Sequence, residues 1–215
     1  MEIKAVLFDM DGVICHTNPY HSEAFRIFFE KRNIRTTEED FVDHLYGKSN
    51  SYIFKHFLKE EYRNNDFAQL EDEKEMLFRQ LYRSKIEPLP GLMKMLDWIK
   101  ERKIKSGLAT SAPKANMQMI MEKLDLYNYM GSHLASEDIL HHKPDPEIYL
   151  KTADILDVKP RDCLVFEDSF SGVTAARSAG MQVIGVLTTH KQNELPECKM
   201  YISDFKEALS FPFLR

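Results

Sequence analysis

Cysteine is scarce: Cys15, Cys163 and Cys198 are the only three in 215 residues. Their odd number and scattered positions, without metal-ligand spacing, argue against a disulfide framework and for free thiols in a reducing compartment, the cytoplasm being the expected location. Excess positive charge is also missing. The net charge is −5, which speaks against a nucleic-acid-binding surface or a basic membrane patch. No apolar run approaches the length of a bilayer span, and Met1-Glu2-Ile3-Lys4 leads at once into an apolar segment, leaving no room for a signal peptide. Internal repeats and low-complexity segments are absent too. What remains, 43% hydrophobic and 29% charged, is a water-soluble chain that can bury one core, or one core and a small accessory lobe.

The stretch Ala5-Val6-Leu7-Phe8-Asp9-Met10-Asp11-Gly12-Val13 is a short apolar run ending in two carboxylates and a glycine. Ala5 to Phe8 is too short for a helix and suits a strand buried on both faces, while Gly12 supplies a tight turn whose backbone N–H groups can face an anion. Carboxylates at the end of a buried strand need partners, and a divalent cation with a phosphoryl group supplies them. A solvated Asp-Gly turn is the alternative. An EF-hand loop is excluded, because Val13, Ile14 and Tyr20 stand where it requires an acid or amide, a glycine and a glutamate.

Beyond this turn, Asn18 reads as a helix N-cap with Pro19 as the first helical residue. Ala24, Phe25, Phe28 and Phe29 form an apolar stripe, and Thr36 with Glu39 suggests a capping box for a second helix. Residues 19 to 84 read as almost wholly helical. Phe41, Val42 and Leu45 precede a break at Tyr46-Gly47-Lys48-Ser49-Asn50; Ile53, Phe54, Phe57 and Leu58 give one further face, and Met76, Leu77, Gln80 and Leu81 another. The run Glu71-Asp72-Glu73-Lys74-Glu75 reads as a solvated helix face. At Pro88-Leu89-Pro90-Gly91 the pattern changes to alternating strands and helices. Strands are expected at Ile104 to Ala109, His133 to Ser136, Leu164 to Phe166 and Val183 to Leu187; helices at Leu92 to Ile99, Met117 to Leu124, after Asp145-Pro146, and from Val173 to Ala179, stopped by Gly180. The fold class is therefore α/β: a Rossmann-like parallel sheet with helices on both faces, residues 1–14 and 88–215, interrupted by an inserted helical lobe, residues 15–87. Two tethers, near 14 to 18 and 84 to 90, permit a hinge.

In open parallel sheets ligands collect beyond the carboxyl ends of the strands. The first strand carries Asp9 and Asp11 there, the second Thr110-Ser111-Ala112-Pro113-Lys114, and the strand at Leu164 to Phe166 carries Glu167-Asp168-Ser169; His142-Lys143-Pro144-Asp145-Pro146 lies between the last two in sequence. Hydroxyls and a helix N-terminus suit phosphate oxygens, a lysine suits the charge of a transferring phosphoryl group, and a second acidic pair suits Mg²⁺. Taken singly, each has an ordinary structural reading: a helix cap, a solvated turn, a surface lysine. Their agreement points to phosphoryl chemistry.

Phe8-Asp9-Met10-Asp11-Gly12-Val13, Ala109-Thr110-Ser111, Lys143-Pro144-Asp145-Pro146 and Phe166-Glu167-Asp168-Ser169-Phe170-Ser171-Gly172-Val173 resemble, in that order, the motifs of the haloacid dehalogenase superfamily. The branch they resemble is that of β-phosphoglucomutase and related sugar phosphatases. The resemblance implies that Asp9 is the nucleophile that becomes an aspartyl phosphate and that Asp11 is the general acid and then base. It also implies Mg²⁺ on Asp9, the Asp11 carbonyl and Asp168, with Glu167 as a ligand or one contact removed. Thr110 would bind a phosphoryl oxygen, Lys143 would neutralise charge around it, and Ser111, Lys114 and Gly12 would lie beside the phosphate. Asp11 argues against dehalogenation, since a halide leaving group needs no acid.

The helical insertion resembles the family's cap, which excludes water and contacts the substrate. Thr17, His21, Lys48 and Asn50 are its candidate substrate-binding residues. The mutase pattern has an arginine where Asn50 stands, and a serine and a lysine where Ala112 and Pro113 stand. Both departures remove ligands for a second phosphate. The expected activity is hydrolysis of a small phosphorylated metabolite by a monomer, with phosphosugar mutase as the alternative, and pyrophosphatase or a non-catalytic binding protein further behind.

Overall fold

The computed structural model describes residues 2–45, 50–59, 62–63 and 66–210. They fall into two compact units, Met1–His16 with Ile86–Arg215, and Thr17–Lys85. Strands β1 (Ala5–Phe8), β2 (Lys105–Ala109), β3 (Ser132–Leu134), β4 (Cys163–Glu167), β5 (Gln182–Val186) and β6 (Met200–Ile202) belong to the first unit. The helices are α1 (Asn18–Glu30), α2 (Glu38–His44), α3 (Asn50–Leu58) and α4 (Phe67–Tyr82) in the second unit, then α5 (Leu92–Glu101), α6 (Lys114–Lys123), α7 (Glu147–Ile155), α8 (Phe170–Ser178) and α9 (Phe205–Ala208) in the first. No described helix is long and apolar enough to cross a membrane.

The six strands form one parallel sheet in the order β3-β2-β1-β4-β5-β6, the Rossmann-like arrangement expected. β1 lies between β2 and β4, with Phe8 level with Leu108 on one side and Phe166 on the other. That register sets Ala109, Asp9 and Glu167, the next residue of each strand, side by side at the carboxyl edge. Alternation along the strands sends Ala5, Leu7, Cys163 and Val165 into a core with Ile148, Tyr149 and Ala153 of α7 and Val173, Ala175 and Ala176 of α8. Phe8 and Phe166 stack at 5.3 Å, and Phe205 of α9 closes over both at 5.9 and 5.0 Å. Burying each ring contributes about 2 kcal/mol. At the point where the chain leaves and re-enters this unit, Leu89 N–H donates to Ile14 O at 2.8 Å and Cys15 bridges to Pro88.

β6 is a strand the sequence reading missed: three residues are too few to show an alternation. β3 covers Ser132–Leu134, and Ser136 belongs to a 3₁₀ turn, Ser136–Asp138, instead of the strand. The helix expected to open at Pro146 behind an Asp145 cap starts one residue later: Pro146 is the N-cap of α7, and the Asp145 carboxylate accepts from Glu147 N at 2.9 Å from just outside it.

In the second unit, α1 and α4 pack along each other, and Phe25, Phe28, Phe29, Phe41, Phe54 and Phe78 are buried. The N-cap of α1 is Thr17, not Asn18, which is already helical with Pro19 behind it. The capping box of α2 is Thr37 with Asp40, one residue later than expected, because Thr37 is the last extended residue before the helix (φ −104°, ψ 168°) and Asp40 Oδ2 accepts its N–H at 2.7 Å. The run Glu71 to Glu75 is solvated only in part: Asp72 is exposed, but Lys74 and Glu75 are buried. Leu70, Lys74, Leu77, Phe78 and Tyr82 share one buried side of α4, while Met76 and Gln80, expected inside, point outward. Spacing of four and three residues carries Lys74 inward whatever its charge. The segment Tyr46 to Ser49, with Lys48, lies outside the described residues.

Candidate active site

Three adjacent strand ends meet on one ammonium. Lys143 Nζ donates to Asp9 Oδ1 at 2.7 Å, to Glu167 Oε1 at 2.7 Å and to the Ala109 carbonyl at 3.1 Å, from β1, β4 and β2 in turn. The Lys143 and Glu167 side chains are buried and Asp9 nearly so. The lysine is thus held at the carboxyl edge of the sheet, far from the surface reading open to it in sequence.

Glu167 is saturated. Oε1 accepts from Lys143 and from Tyr149 Oη at 3.1 Å, and Oε2 accepts from Asp168 N (2.8 Å), Ser169 N (2.9 Å) and Ser169 Oγ (3.0 Å). Ser169 also caps α8 by accepting from Gly172 N at 3.0 Å. Asp168, the neighbouring acid, has one carboxylate oxygen bonded by Thr189 Oγ1 and its carbonyl 3.1 Å from His190 Nδ1.

Burial raises the Asp9 carboxyl to about 8; Lys143 pulls it down, while Glu167 and Asp11 push it up. Burial likewise holds Asp168 well above the carboxylate range, with the charges of Glu167, Asp9 and Asp11 adding to it. For Lys143 burial opposes the charge, yet Asp9 and Glu167 outweigh it and keep the ammonium well above the ordinary lysine range. The site is an excess of carboxylate around one fixed cation. Ligand oxygens of Asp9, Glu167 and Asp168 lie within 4.8 Å of one another, a spacing and an all-oxygen donor set that fit a hard divalent ion with ligands at about 2.0–2.1 Å.

The turn after β1 spends four of its N–H groups on itself. The N–H of Gly12 goes to Cys15 O (2.8 Å), and those of Val13, Ile14 and Cys15 go to Met10 O, so none of these four faces an anion. Gly12, at φ +78°, instead permits close approach: a β-carbon there would stand 2.0 Å from Asp168 Oδ2. Thr188 Oγ1 fastens the turn by donating to Gly12 O at 2.6 Å. Asp11 sits in this turn, near enough for its charge to act on both Asp9 and Asp168.

Thr110 is fully buried at the end of β2, its hydroxyl oxygen accepting from Ala112 N at 3.0 Å, which leaves its proton to be donated. Ser111 is exposed. Lys114 is exposed at the start of α6, where its N–H bonds the Glu137 carboxylate at 2.9 Å and its ammonium lies 3.4 Å from Asp138.

The cap candidates belong to the second unit, where two of them share a cluster. His21 stacks on Phe78 at 3.7 Å, with Nδ1 3.3 Å from Lys74 Nζ and 3.9 Å from Glu75 Oε2. Asn50 Nδ2 donates to Glu71 at 2.8 Å and to Glu75 at 3.1 Å, and Lys74 pairs with Glu75 while lying 4.5 Å from the Phe25 ring. Thr17 is buried, and its carbonyl accepts the N–H groups of Tyr20 and His21.

Tyr149, Thr188, Thr189, His190 and Gly172 were not singled out in sequence. The strand-end rule applied to β5 would have found Thr188, Thr189 and His190. Gly172 falls inside the fourth motif with nothing in sequence to mark its contact, and Tyr149 reads simply as one apolar position of a helix.

Residues 6–186 match the family model of the haloacid dehalogenase-like hydrolases. A phosphorylated carbohydrates phosphatase of Thermotoga maritima is 34% identical over 197 residues, covering 89% of this chain and 88% of that protein. The β-phosphoglucomutase of Bacillus subtilis is 34% identical over 192 residues, covering 86% and 83%. Fructose-1-phosphate phosphatase YqaB of Escherichia coli is 30% identical over 181 residues, covering 84% and 95%. Among solved structures, a family IA, variant 3 hydrolase of Entamoeba histolytica superposes with a TM-score of 0.88 at 29% identity, covering 96% of this chain and 95% of that one. The β-phosphoglucomutase of Clostridium difficile gives 0.82 at 26%, covering 99% and 95%. Motif order, sheet topology and relatives agree, and the chain belongs to the haloacid dehalogenase-like hydrolase family.

Proposed function

We propose that this chain is a Mg²⁺-dependent phosphatase that hydrolyses a small phosphorylated metabolite of the sugar phosphate class. The observation that carries the reading is the Lys143 ammonium, buried and bonded at 2.7 Å to Asp9, which sets a carboxylate nucleophile beside a fixed cation. An anionic phosphoryl group approaching Asp9 meets positive charge where its own charge must be offset. Asp9 attacks phosphorus, and the bond to the leaving oxygen breaks as Asp11 gives that oxygen its proton. Water then attacks the aspartyl phosphate, with Asp11 taking the proton back, and inorganic phosphate leaves. Thr110 donates to a phosphoryl oxygen throughout. Mg²⁺ would be held by the Asp9 and Asp168 carboxylates and the Asp11 carbonyl, and when bound it supplies charge neutralisation and orientation of the phosphoryl group.

The second reading, phosphosugar mutase, is favoured by the B. subtilis relative, which is as similar as the T. maritima phosphatase. Against it stands Asn50. Its amide donates to Glu71 and Glu75 and brings no cation to the position where the mutase pattern has an arginine. A ³¹P NMR time course with β-glucose 1-phosphate, a trace of glucose 1,6-bisphosphate and Mg²⁺ separates the two. Inorganic phosphate is expected; accumulation of glucose 6-phosphate would establish the mutase instead.

A further inference from the structure

Glu167 belongs to a carboxylate trio with metal-ligand spacing, yet its lone pairs are directed elsewhere. Oε2 takes three donors from Asp168 and Ser169, and Oε1 takes Lys143 and Tyr149. The tyrosine is unusual in touching both ends of this ion pair. Its hydroxyl lies 3.1 Å from Glu167 Oε1, and its ring lies 4.8 Å from Lys143 Nζ, within reach of a cation–π contact. Tyr149 is fully buried on α7, packed in the core beside β1 and β4, so the hydroxyl has a fixed direction. Five donors on two oxygens leave both carboxylate oxygens of Glu167 engaged by the protein itself.

Resting on the phosphatase reading of this site, we propose that Tyr149 is a positioning residue that commits Glu167 to Lys143 and withholds it from the metal ion. The ion is then left to Asp9, Asp168 and the Asp11 carbonyl. Lys143 gains a rigid anchor, and the metal site is held to two carboxylates. Removing only the Tyr149 hydroxyl frees one lone pair of Glu167 while the ring still faces the ammonium. The lysine loosens and the glutamate becomes available to Mg²⁺, so catalysis and metal affinity move in opposite directions. Packing damage alone would not separate them.

The test compares wild type with Tyr149→Phe. Turnover of p-nitrophenyl phosphate is expected to show kcat down about tenfold with KM within about twofold. Calorimetric titration with MgCl₂, without substrate, is expected to show binding at least about threefold tighter. In a Glu167→Gln background, Tyr149→Phe is expected to change neither quantity by more than about twofold, because the group it acts through has gone. Unchanged Mg²⁺ affinity, affinity and kcat falling together, or a full Tyr149→Phe effect in the Glu167→Gln background would each overturn the proposal. Should Tyr149→Phe not fold, Glu167→Gln alone decides: Mg²⁺ affinity within about threefold of wild type supports it, and a loss beyond about tenfold overturns it. Failure of wild type to hydrolyse any phosphomonoester would defeat the phosphatase reading, while the calorimetry would still judge Tyr149.

Discussion

A β-carbon on Gly172 would stand 1.6 Å from Glu167 Oε1. The first turn of α8 therefore leaves a hollow that the glutamate fills, and the glutamate in turn holds Lys143 against Asp9. Gly172→Ala is expected to push Glu167 out of place. Overpacking of this kind costs about 1–3 kcal/mol, and the loss of the lysine's anchor should lower turnover more than tenfold. Denaturant melts and phosphate release check both; a variant with native stability and full activity would show that the hollow serves nothing.

Asp9→Asn keeps the shape and hydrogen-bonding length of the side chain but removes the attacking oxyanion. Hydrolysis should stop while the circular dichroism spectrum and cooperative melting persist. Because burial already disfavours the Asp9 charge, the substitution relieves that cost even as it deprives Lys143 of one partner, and a melting temperature within a few degrees of wild type is expected. Residual turnover near the wild-type rate would remove Asp9 from the reaction.

Metal binding should release protons. Between the ordinary carboxylate range and pH 8 the metal-free folded site retains a proton on Asp9 that the unfolded chain has already lost, so this group's contribution favours folding less as pH rises through that window. An incoming Mg²⁺ must displace the proton. Asp168, held high by the same burial, must lose its proton too, so the affinity should climb as pH rises through neutrality, and calorimetry in buffers of different ionisation enthalpy should detect the protons released. A pH-independent affinity would contradict this.

The buried Lys74–Glu75 pair makes a separate prediction for the helical unit. Lys74→Met leaves Glu75 buried beside Asn50 without its cation, a loss expected to cost about 3–5 kcal/mol. The double variant Lys74→Met with Glu75→Gln should recover much of that stability. Thermal melts of the single and double variants decide it, and equal destabilisation in both would refute the pairing.

Much of this molecule could be read from its sequence because parallel sheets bring their carboxyl ends together: Asp9, Thr110 and Asp168 follow from where apolar runs stop, while Lys143, in a loop, was reached through its motif. Lys74 and Glu75 were misread for the converse reason. A charge run looks solvated, and only the spacing from Leu70 to Leu77 and Phe78 reveals that Lys74 faces inward. Tyr149 could not be found in sequence, since a hydroxyl buried in a core differs from an ordinary aromatic core position only in the partner it meets. The Thr188–His190 loop was open to discovery but lay beyond a strand whose end carries no acid.

The strand bearing Asp9 is synthesised first and paired late. Ala5 faces Lys105 on one side and Cys163 on the other, so β1 leaves the ribosome long before either neighbour exists. The hydrogen bond from Leu89 to Ile14 bears on that delay. Once residues 17–85 have folded and this junction has closed, the search of β1 for β2 is limited by the stretch from 89 to 105 instead of the whole insertion, and the entropy of ring closure falls accordingly. The closed junction then spares β1 the cost of spanning the insertion when it pairs with β2, and the longer reach from β1 to β4 is shortened by the same stretch.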